Sequence, residues 1–198
     1  MIVVLSTSSP LASVALFDLS GQLLGEGETL APRAASGAVV RLLDSLLAEL
    51  RTDRTGIQKV VADIGPGSFT GVKVSVTLAQ SVAFALGVPA AGVPAFDLVS
   101  TDRVVAIGGK PGHWFVREPG LAGTCRSGGF PEDAVGYGPG VANPVYPSAR
   151  TAAPLLADLE DCDPAALRPL YIAEPDISPP KTPFRHVASP SPRFAGGR

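Results

Sequence analysis

The chain has 198 residues and a mass of 20.2 kDa, and its 16 Lys and Arg against 18 Asp and Glu leave a formal net charge of -2. This length predicts one or two small globular lobes. The near-neutral balance excludes the clustered basic surface with which a protein binds nucleic acid by itself. Only 17% of the residues are charged and the mean hydropathy is +0.28. We therefore expect part of the apolar surface to meet a partner protein, and any RNA contact to be made through a complex.

Cysteine usage and the apolar segments both predict a cytoplasmic protein. Cys125 and Cys162 are too far apart for a metal knuckle and too few for a secreted disulfide framework, so two reduced, buried thiols are expected. The N-terminal sequence MIVVLSTSSP lacks the basic region of a signal peptide. The apolar tract at 82–96 is interrupted by Gly and Pro residues, and no membrane span is predicted there.

The first hundred residues carry the regular secondary structure. Apolar runs predict buried strands at 2–5 and 59–64, and two strands at 13–17 and 22–28 flank a predicted hairpin turn. Apolar residues at helical spacing predict an amphipathic helix over 36–50. A helix at 68–86, a strand at 88–92, a helix start at Pro94 and a strand at 104–107 follow. Three strands followed by alternating helices and strands are typical of a ribonuclease-H-like α/β layer.

The second half of the chain contains 15 of the 20 prolines. A strand is predicted at 113–117, and a helix at 148–159 with Ser148 as its N-cap. We predict three parts: an N-terminal lobe over 1–100, a second, shorter Gly- and Pro-rich lobe over 101–174, and a Pro-rich tail over 175–198.

A glycine-rich motif separates the strand at 59–64 from the helix at 68–86. Its candidate residues for a nucleotide or phosphate loop are Gly65, Pro66, Gly67, Ser68, Thr70 and Gly71. Free amides at a helix N-terminus favour anion binding. However, the motif lacks the Gly-Lys-Ser/Thr ending of a P-loop, and Thr70 stands where a dinucleotide fingerprint has glycine. The spacing favours the other interpretation, in which the glycines permit a tight turn and Ser68 caps the helix.

The helix after this motif carries one charged residue, Lys73, between residues 68 and 86. A helix that is apolar nearly all round is covered on more than one face. Its i+4 rows are an apolar row (Val74, Leu78, Val82, Leu86) and a small-residue row (Gly71, Ser75, Ala79, Ala83, Gly87). We predict that the apolar row packs on the sheet and that the small-residue row meets a second chain. Burial of both rows inside the chain is the alternative.

No arrangement of residues predicts catalysis. Ser68 is not in a G-x-S-x-G motif, and His113 and His186 lie 73 positions apart, without the spacing of metal ligands. The first strand ends in Ser6, where an actin-like ATPase needs an acidic residue for the metal–nucleotide. We therefore expect no catalytic residue and no metal site. A weak ATPase or kinase that uses Asp63 and the turn at 65–71 is the enzyme alternative.

The chain resembles the TsaB (YeaZ) family over roughly residues 1–100, and the motif IGPGSFTGVKV at 64–74 carries most of the likeness. The matching segments before it are VVLSTSSPLASVALFD and LAPRAASGAVVRLLDSLL, and the one after it is AFALGVPAAGV. Members were formerly called glycoprotease-like or peptidase M22-like. The resemblance implies an α/β actin-like ATPase (ASKHA) fold, with ribonuclease-H-like lobes, mixed β-sheets flanked by helices, and here a reduced second lobe.

The same resemblance implies a non-catalytic scaffold in the formation of N6-threonylcarbamoyladenosine (t6A) in tRNA. Such a scaffold pairs with the catalytic paralogue TsaD and acts with the ATPase TsaE, and ATP or ADP at the complex interface is the cofactor to consider. A homodimer through the same helices is expected for the isolated chain. The implied partner interface comprises Val39, Leu43, Leu46, Leu50, Gly71, Val72, Ser75, Val76, Ala79 and Ala83.

The chain departs from the family pattern at four positions. Ser6 replaces an aspartate, Lys73 an arginine and Gln80 a frequent lysine. Near the C-terminus, Ala173 replaces the arginine of the family's P-x-Y-L-R-x-P-D ending. These changes weaken the case for nucleotide hydrolysis more than the case for a scaffold.

Overall fold

The computed structural model describes residues 1–31 and 34–173, which form two β-sheets with helices packed on the first. Three short 3₁₀ segments lie at Arg54–Gly56, Ala149–Leu155 and Pro164–Ala166. The strands and α-helices are β1 (Ile2–Ser6), β2 (Leu11–Phe17), β3 (Leu23–Leu30), α1 (Ala35–Glu49), β4 (Lys59–Asp63), α2 (Phe69–Leu86), β5 (Ala90–Val93), α3 (Ala95–Val99), β6 (Val105–Gly108), β7 (His113–Arg117), β8 (Thr124–Ser127) and β9 (Val135–Tyr137).

The first sheet has the strand order β3-β2-β1-β4-β5. β1, β2 and β3 are antiparallel, whereas β4 and β5 run parallel to β1. In the hairpin turn between β2 and β3, the Asp18 carboxylate accepts hydrogen bonds from the Ser20 and Gln22 amides, as expected of an Asp that begins a turn. The predicted order of elements and the ribonuclease-H-like arrangement are confirmed.

The second sheet has the strand order β8-β7-β6-β9, with β9 parallel to β6. The sequence predicts β6 and β7, including the strand at 113–117, but not β8 and β9. Those two strands are four and three residues long, and every residue of β8 is exposed, so no hydrophobic alternation marks them.

The chain returns to the first sheet after β9, which moves the predicted lobe boundary. Ala149, Ala152 and Leu156 pack beneath the first sheet on the face opposite α1 and α2. Leu167 joins the core on the helix-covered face. Within 101–174, only the first half forms the second sheet. The described residues of the second half complete the first lobe. The predicted tail at 175–198, with His186, lies outside the described residues.

The segment predicted as a helix over 148–159 is a 3₁₀ segment, Ala149–Leu155, and the Ser148 side chain makes no capping hydrogen bond to it. Pro154 lies inside this segment. Proline has no backbone N–H to donate within a helix, and its ring clashes with the preceding turn. The prediction of a regular helix was wrong for this reason.

The helix α2 lies on the sheet with the orientation opposite to the predicted one. The small-residue row is buried against the sheet except for Gly87, the exposed C-cap, and the apolar row is half-buried. Small side chains let the helix backbone approach closely: the Thr7 hydroxyl donates to the Gly71 carbonyl at 2.7 Å, and the Ser75 hydroxyl donates to the Asp63 carbonyl. The prediction that this row meets a second chain was wrong.

By length and composition alone, α2 is the one α-helix within residues 1–31 and 34–173 that is long and apolar enough to cross a membrane. Core helices that pack on a sheet pass the same test. The buried residues of α2 belong to the core between the helices and the first sheet. Its composition is therefore explained by this packing.

Candidate functional site

Nine of the ten predicted interface residues are buried in the chain's own core. Leu50 alone is half-buried. Gly71 is buried, and the other eight side chains are 4% exposed or less. Such side chains have no surface to offer a partner, so the residue assignment is corrected. The buried residues are Val39, Leu43, Leu46, Gly71, Val72, Ser75, Val76, Ala79 and Ala83.

The outer faces of the same two helices carry different residues. Phe84 on α2 is 81% exposed and Val40 on α1 is 39% exposed. Exposed Thr77 and Ser81 lie on the same helix as Phe84. The helices thus present an outward surface with an exposed aromatic ring, although the sequence pattern pointed to their inward faces.

The glycines of the GPGSFTG motif allow close packing against the end of β1. A Cβ atom added at Gly71 would lie 2.0 Å from the Thr7 carbonyl oxygen, and one added at Gly67 would lie 2.3 Å from that of Ser8. Real Cβ atoms do not approach backbone oxygens this closely. The glycines are therefore required by contacts within the chain, without reference to any ligand.

Two amides of this motif donate hydrogen bonds inside the chain. The Ser68 amide donates to the Ser8 carbonyl at 2.7 Å, and the Gly71 amide donates to the Ser68 hydroxyl at 3.3 Å. The prediction that Ser68 caps the helix is confirmed. Gly65 and Pro66 are buried, and Thr70 is exposed on the first turn. A phosphate loop at this position stays a prediction.

Asp63 is buried at the carboxyl end of β4, and donors within the chain occupy both of its oxygens. The Ser6 hydroxyl donates to Oδ2 at 2.7 Å and the Ser8 amide at 3.4 Å, while the Gly65 amide donates to Oδ1 at 2.8 Å. Burial raises the pKa of this carboxyl. The cluster ties the end of β1 to the glycine turn, which is the structural role of a turn residue.

Tyr137 of β9 joins the second sheet to this cluster. Its hydroxyl donates to the Ser8 carbonyl at 3.2 Å. Burial raises the pKa of Tyr137, and the nearby Asp63 carboxylate adds to that effect. A Cβ atom at Gly67 would also lie 2.9 Å from the Tyr137 hydroxyl. The sequence analysis missed this contact because β9 is short and carries no recognisable strand pattern.

A cleft of about 750 Å³ lies between the glycine turn and the second sheet. Phe69 and Tyr171 form a ring pair with centroids 5.9 Å apart, and both line the cleft. The Lys73 ammonium lies 4.1 Å from the Phe69 ring centroid, a cation–π contact. The glycine motif thus forms part of the wall of a concave surface.

The structure changes the expectation for both cysteines. His113 begins β7, at the start of the strand predicted over 113–117. Cys125, expected to be buried, is an exposed free thiol, while Cys162 is a half-buried free thiol. Both His113 and Cys125 line the cleft. Among the described residues, no group of three or more His, Cys, Asp and Glu side chains forms a candidate metal site.

Comparisons with known proteins identify the family. A family model described as TsaD, tRNA N6-adenosine threonylcarbamoyltransferase, matches residues 29–106. The chain is 33% identical over 110 residues to the tRNA threonylcarbamoyladenosine biosynthesis protein TsaB of Haemophilus influenzae, covering 52% of this chain and 46% of that one. It is 30% identical over 182 residues to the uncharacterized protein Rv3421c of Mycobacterium tuberculosis, covering 79% and 83% respectively. The chain belongs to the TsaB/YeaZ family.

Solved structures share the fold of the chain. YeaZ from Pseudomonas aeruginosa superposes with a TM-score of 0.69 at 23% identity, covering 86% of this chain and 98% of that chain. A second Pseudomonas aeruginosa protein, described as similar to the peptidase YeaZ, gives a TM-score of 0.73 at 21% identity, with 87% and 99% covered. The mixed α/β fold, with two mixed sheets flanked by helices, is thereby confirmed, and it is consistent with the expected actin-like, ribonuclease-H-like architecture.

One relative is much longer than the aligned region. The uncharacterized protein ML0378 of Mycobacterium leprae is 29% identical over an alignment of 188 positions that covers 82% of this chain and 50% of that protein. The chain therefore spans about half the length of this relative.

Proposed function

We propose that the chain is a non-catalytic scaffold subunit in the formation of t6A in tRNA, where it pairs with a TsaD-like paralogue and acts with a TsaE-like ATPase. Its membership of the TsaB/YeaZ family is the observation that carries this proposal. The occupied oxygens of Asp63 support it, because the carboxylate that the enzyme alternative requires already holds Ser6, Ser8 and Gly65 in place.

The outward face of α1 and α2 is the proposed pairing surface, replacing the buried residues first assigned to it. Phe84 is the central anchor in this proposal because it is an aromatic side chain that is 81% exposed. Exposed aromatic residues are enriched at protein interfaces, where they fill pockets on the partner. In this proposal, tRNA binds only to the assembled complex, and ATP or ADP binds at the interface between its subunits. The complex is proposed to work in the cytoplasm.

Substitution of Phe84 tests the pairing surface. Burying a Phe side chain contributes about 1.5–3 kcal/mol, and Phe84→Glu also requires a carboxylate to be desolvated, so we expect the dissociation constant to rise at least about tenfold. The measurement is isothermal titration of the full chain with its cognate TsaD-like protein. Leu121→Glu is the matched control, because Leu121 is 61% exposed and lies beyond the helices.

Each result of this titration has a definite meaning. Weaker binding for Phe84→Glu with unchanged binding for Leu121→Glu supports the outward face as the interface. Equal binding by all three proteins shows that the interface lies elsewhere, and no binding by the wild-type chain contradicts the scaffold proposal itself. Sedimentation of the isolated chain shows whether the same face forms a homodimer when the paralogue is absent.

A further inference from the structure

The cleft between the glycine turn and the second sheet contains a cysteine thiol. β7 and β8 pair in antiparallel register, with Phe115 opposite Cys125. Side chains along a strand alternate between the two faces of a sheet. Phe115 and Cys125 accordingly line the cleft, whereas Trp114 and Val116 pack in the core on the other face. The Cys125 thiol is therefore held on a structured wall of the cleft beside an aromatic ring.

The cleft has the size and lining of a small-molecule site. Its volume of about 750 Å³ lies within the range of roughly 300–1,000 Å³ that is usual for ligand pockets. Five aromatic side chains line it, and they are Phe69, Phe115, Tyr137, Tyr146 and Tyr171. Flat apolar walls of this kind favour the stacking of an aromatic ligand.

Ser8 adds a polar residue to the base of the cleft. It is fully buried and lines the cleft. Its hydroxyl lies beside the Asp63 carboxylate, without a hydrogen bond of good geometry to any described residue. A few polar groups in a largely apolar pocket are typical of small-molecule sites.

We propose that this cleft binds a small aromatic compound and that the Cys125 thiol is the site at which thiol-reactive members of that class modify the chain. This site is separate from the outward face of α1 and α2 that is proposed for pairing. A compound held against Phe115 would lie next to the thiol of its cross-strand neighbour Cys125.

The second cysteine provides an internal comparison. Cys162 is half-buried, and both its amide and its carbonyl are bonded to Ala90 at the edge of the first sheet. Burial raises the pKa of Cys162, and the charges of Asp163 and Asp161 raise it further. Because the thiolate is the reactive form, Cys162 is expected to react slowly. Cys125 is exposed and does not share this environment.

An aromatic disulfide is the simplest probe of the site. The Cys125 thiolate attacks one sulfur of 4,4′-dithiodipyridine, a new S–S bond forms between protein and reagent, and the reagent's own S–S bond breaks. The leaving group departs as one equivalent of pyridine-4-thiolate, which takes up a proton and becomes thiopyridone, and this balances the proton that the thiol loses. The step needs no other oxidant, because the reagent itself is reduced.

The test measures the rate of thiopyridone release from the full chain, with Cys125→Ser to define the contribution of Cys162. We expect the Cys125 rate to level off as the reagent concentration rises, because reversible binding precedes the reaction. Indole, an aromatic compound without a reactive group, should slow the reaction several-fold. A rate that stays proportional to reagent concentration and is unaffected by millimolar indole overturns the proposal.

A variant of the wall separates ligand binding from the intrinsic reactivity of the thiol. Leu170 lines the cleft and is 36% exposed. A charged side chain at this position disfavours an apolar ligand. Leu170→Asp should therefore reduce the reaction rate with dithiodipyridine about tenfold relative to the rate with iodoacetamide. Leu19→Asp, at a 65% exposed position in the β2–β3 turn, is the control. An unchanged ratio of the two rates in Leu170→Asp contradicts binding in the cleft.

Discussion

Gly71→Ala tests whether the GPGSFTG motif is required by packing inside the chain. The added Cβ would lie 2.0 Å from the Thr7 carbonyl oxygen and 3.0 Å from the Thr7 carbonyl carbon. An ordinary contact begins at 3.4 Å, so helix and strand must separate by more than an ångström. Neither neighbour is the end of a flexible side chain. The strain therefore falls on the backbone of the β1 end or of the first turn of α2.

The expected loss of stability follows from three contributions. Overpacking a well-packed site costs about 1–3 kcal/mol, and loss of the Thr7 hydroxyl's hydrogen bond to the Gly71 carbonyl costs about 1 kcal/mol. The higher helix propensity of Ala returns about 1 kcal/mol. We expect a net destabilisation of about 2 kcal/mol, which lowers the melting temperature by roughly 4–8 °C in a chain of this length.

Urea unfolding and thermal melting of the purified chain measure this loss. Gly129→Ala is the matched control, because the same Cβ would meet no atom within 4 Å there. We expect that control to change the free energy of unfolding by less than about 0.5 kcal/mol. If Gly71→Ala is as stable as Gly129→Ala, the motif is not held by its contact with Thr7, and the packing argument fails.

Two further predictions concern the cluster around Asp63. Because burial raises its folded pKa above the unfolded value near 3.8, the stability linked to its proton is present below that value and is lost as the pH rises towards the folded pKa. In urea unfolding above about pH 4, the free energy of unfolding of Asp63→Asn should therefore fall less steeply with pH than that of the wild type. A difference between the two proteins that stays constant across that pH range would contradict this prediction. Tyr137→Phe removes the hydrogen bond to the Ser8 carbonyl and should cost about 1 kcal/mol in the same assay, whereas no loss would mean that this bond does not hold the second sheet.

The sequence predicts the first sheet well because its signals are local. The buried strand at 59–64, the glycine break and the helix after it correspond to β4, the turn and α2. The N-cap role of Ser68 follows from its position between the turn and the helix, and the structure confirms it. Each of these features depends on residues that are close together in the chain.

The orientation of α2 and the extent of the second lobe depend on distant residues. Both rows of α2 are apolar, so periodicity alone does not decide which row faces the sheet. The decision comes from Thr7, whose carbonyl leaves no room for a side chain at position 71. Similarly, nothing in the sequence around 149–167 indicates that it packs beneath β1 and β2. The polar contact from Tyr137 to Ser8 spans 129 positions and was missed for the same reason.

The claim that the chain acts as a subunit rather than as an enzyme is tested most directly by reconstituted t6A formation. The assay follows modification of tRNA by the TsaD-like paralogue, a TsaE-like ATPase and a threonylcarbamoyl donor, with and without this chain. We expect modification only when the chain is present, equal support from Asp63→Asn at a temperature where that variant is folded, and no phosphate release from ATP by the chain alone. ATP turnover by the isolated chain that Asp63→Asn abolishes would contradict the scaffold role.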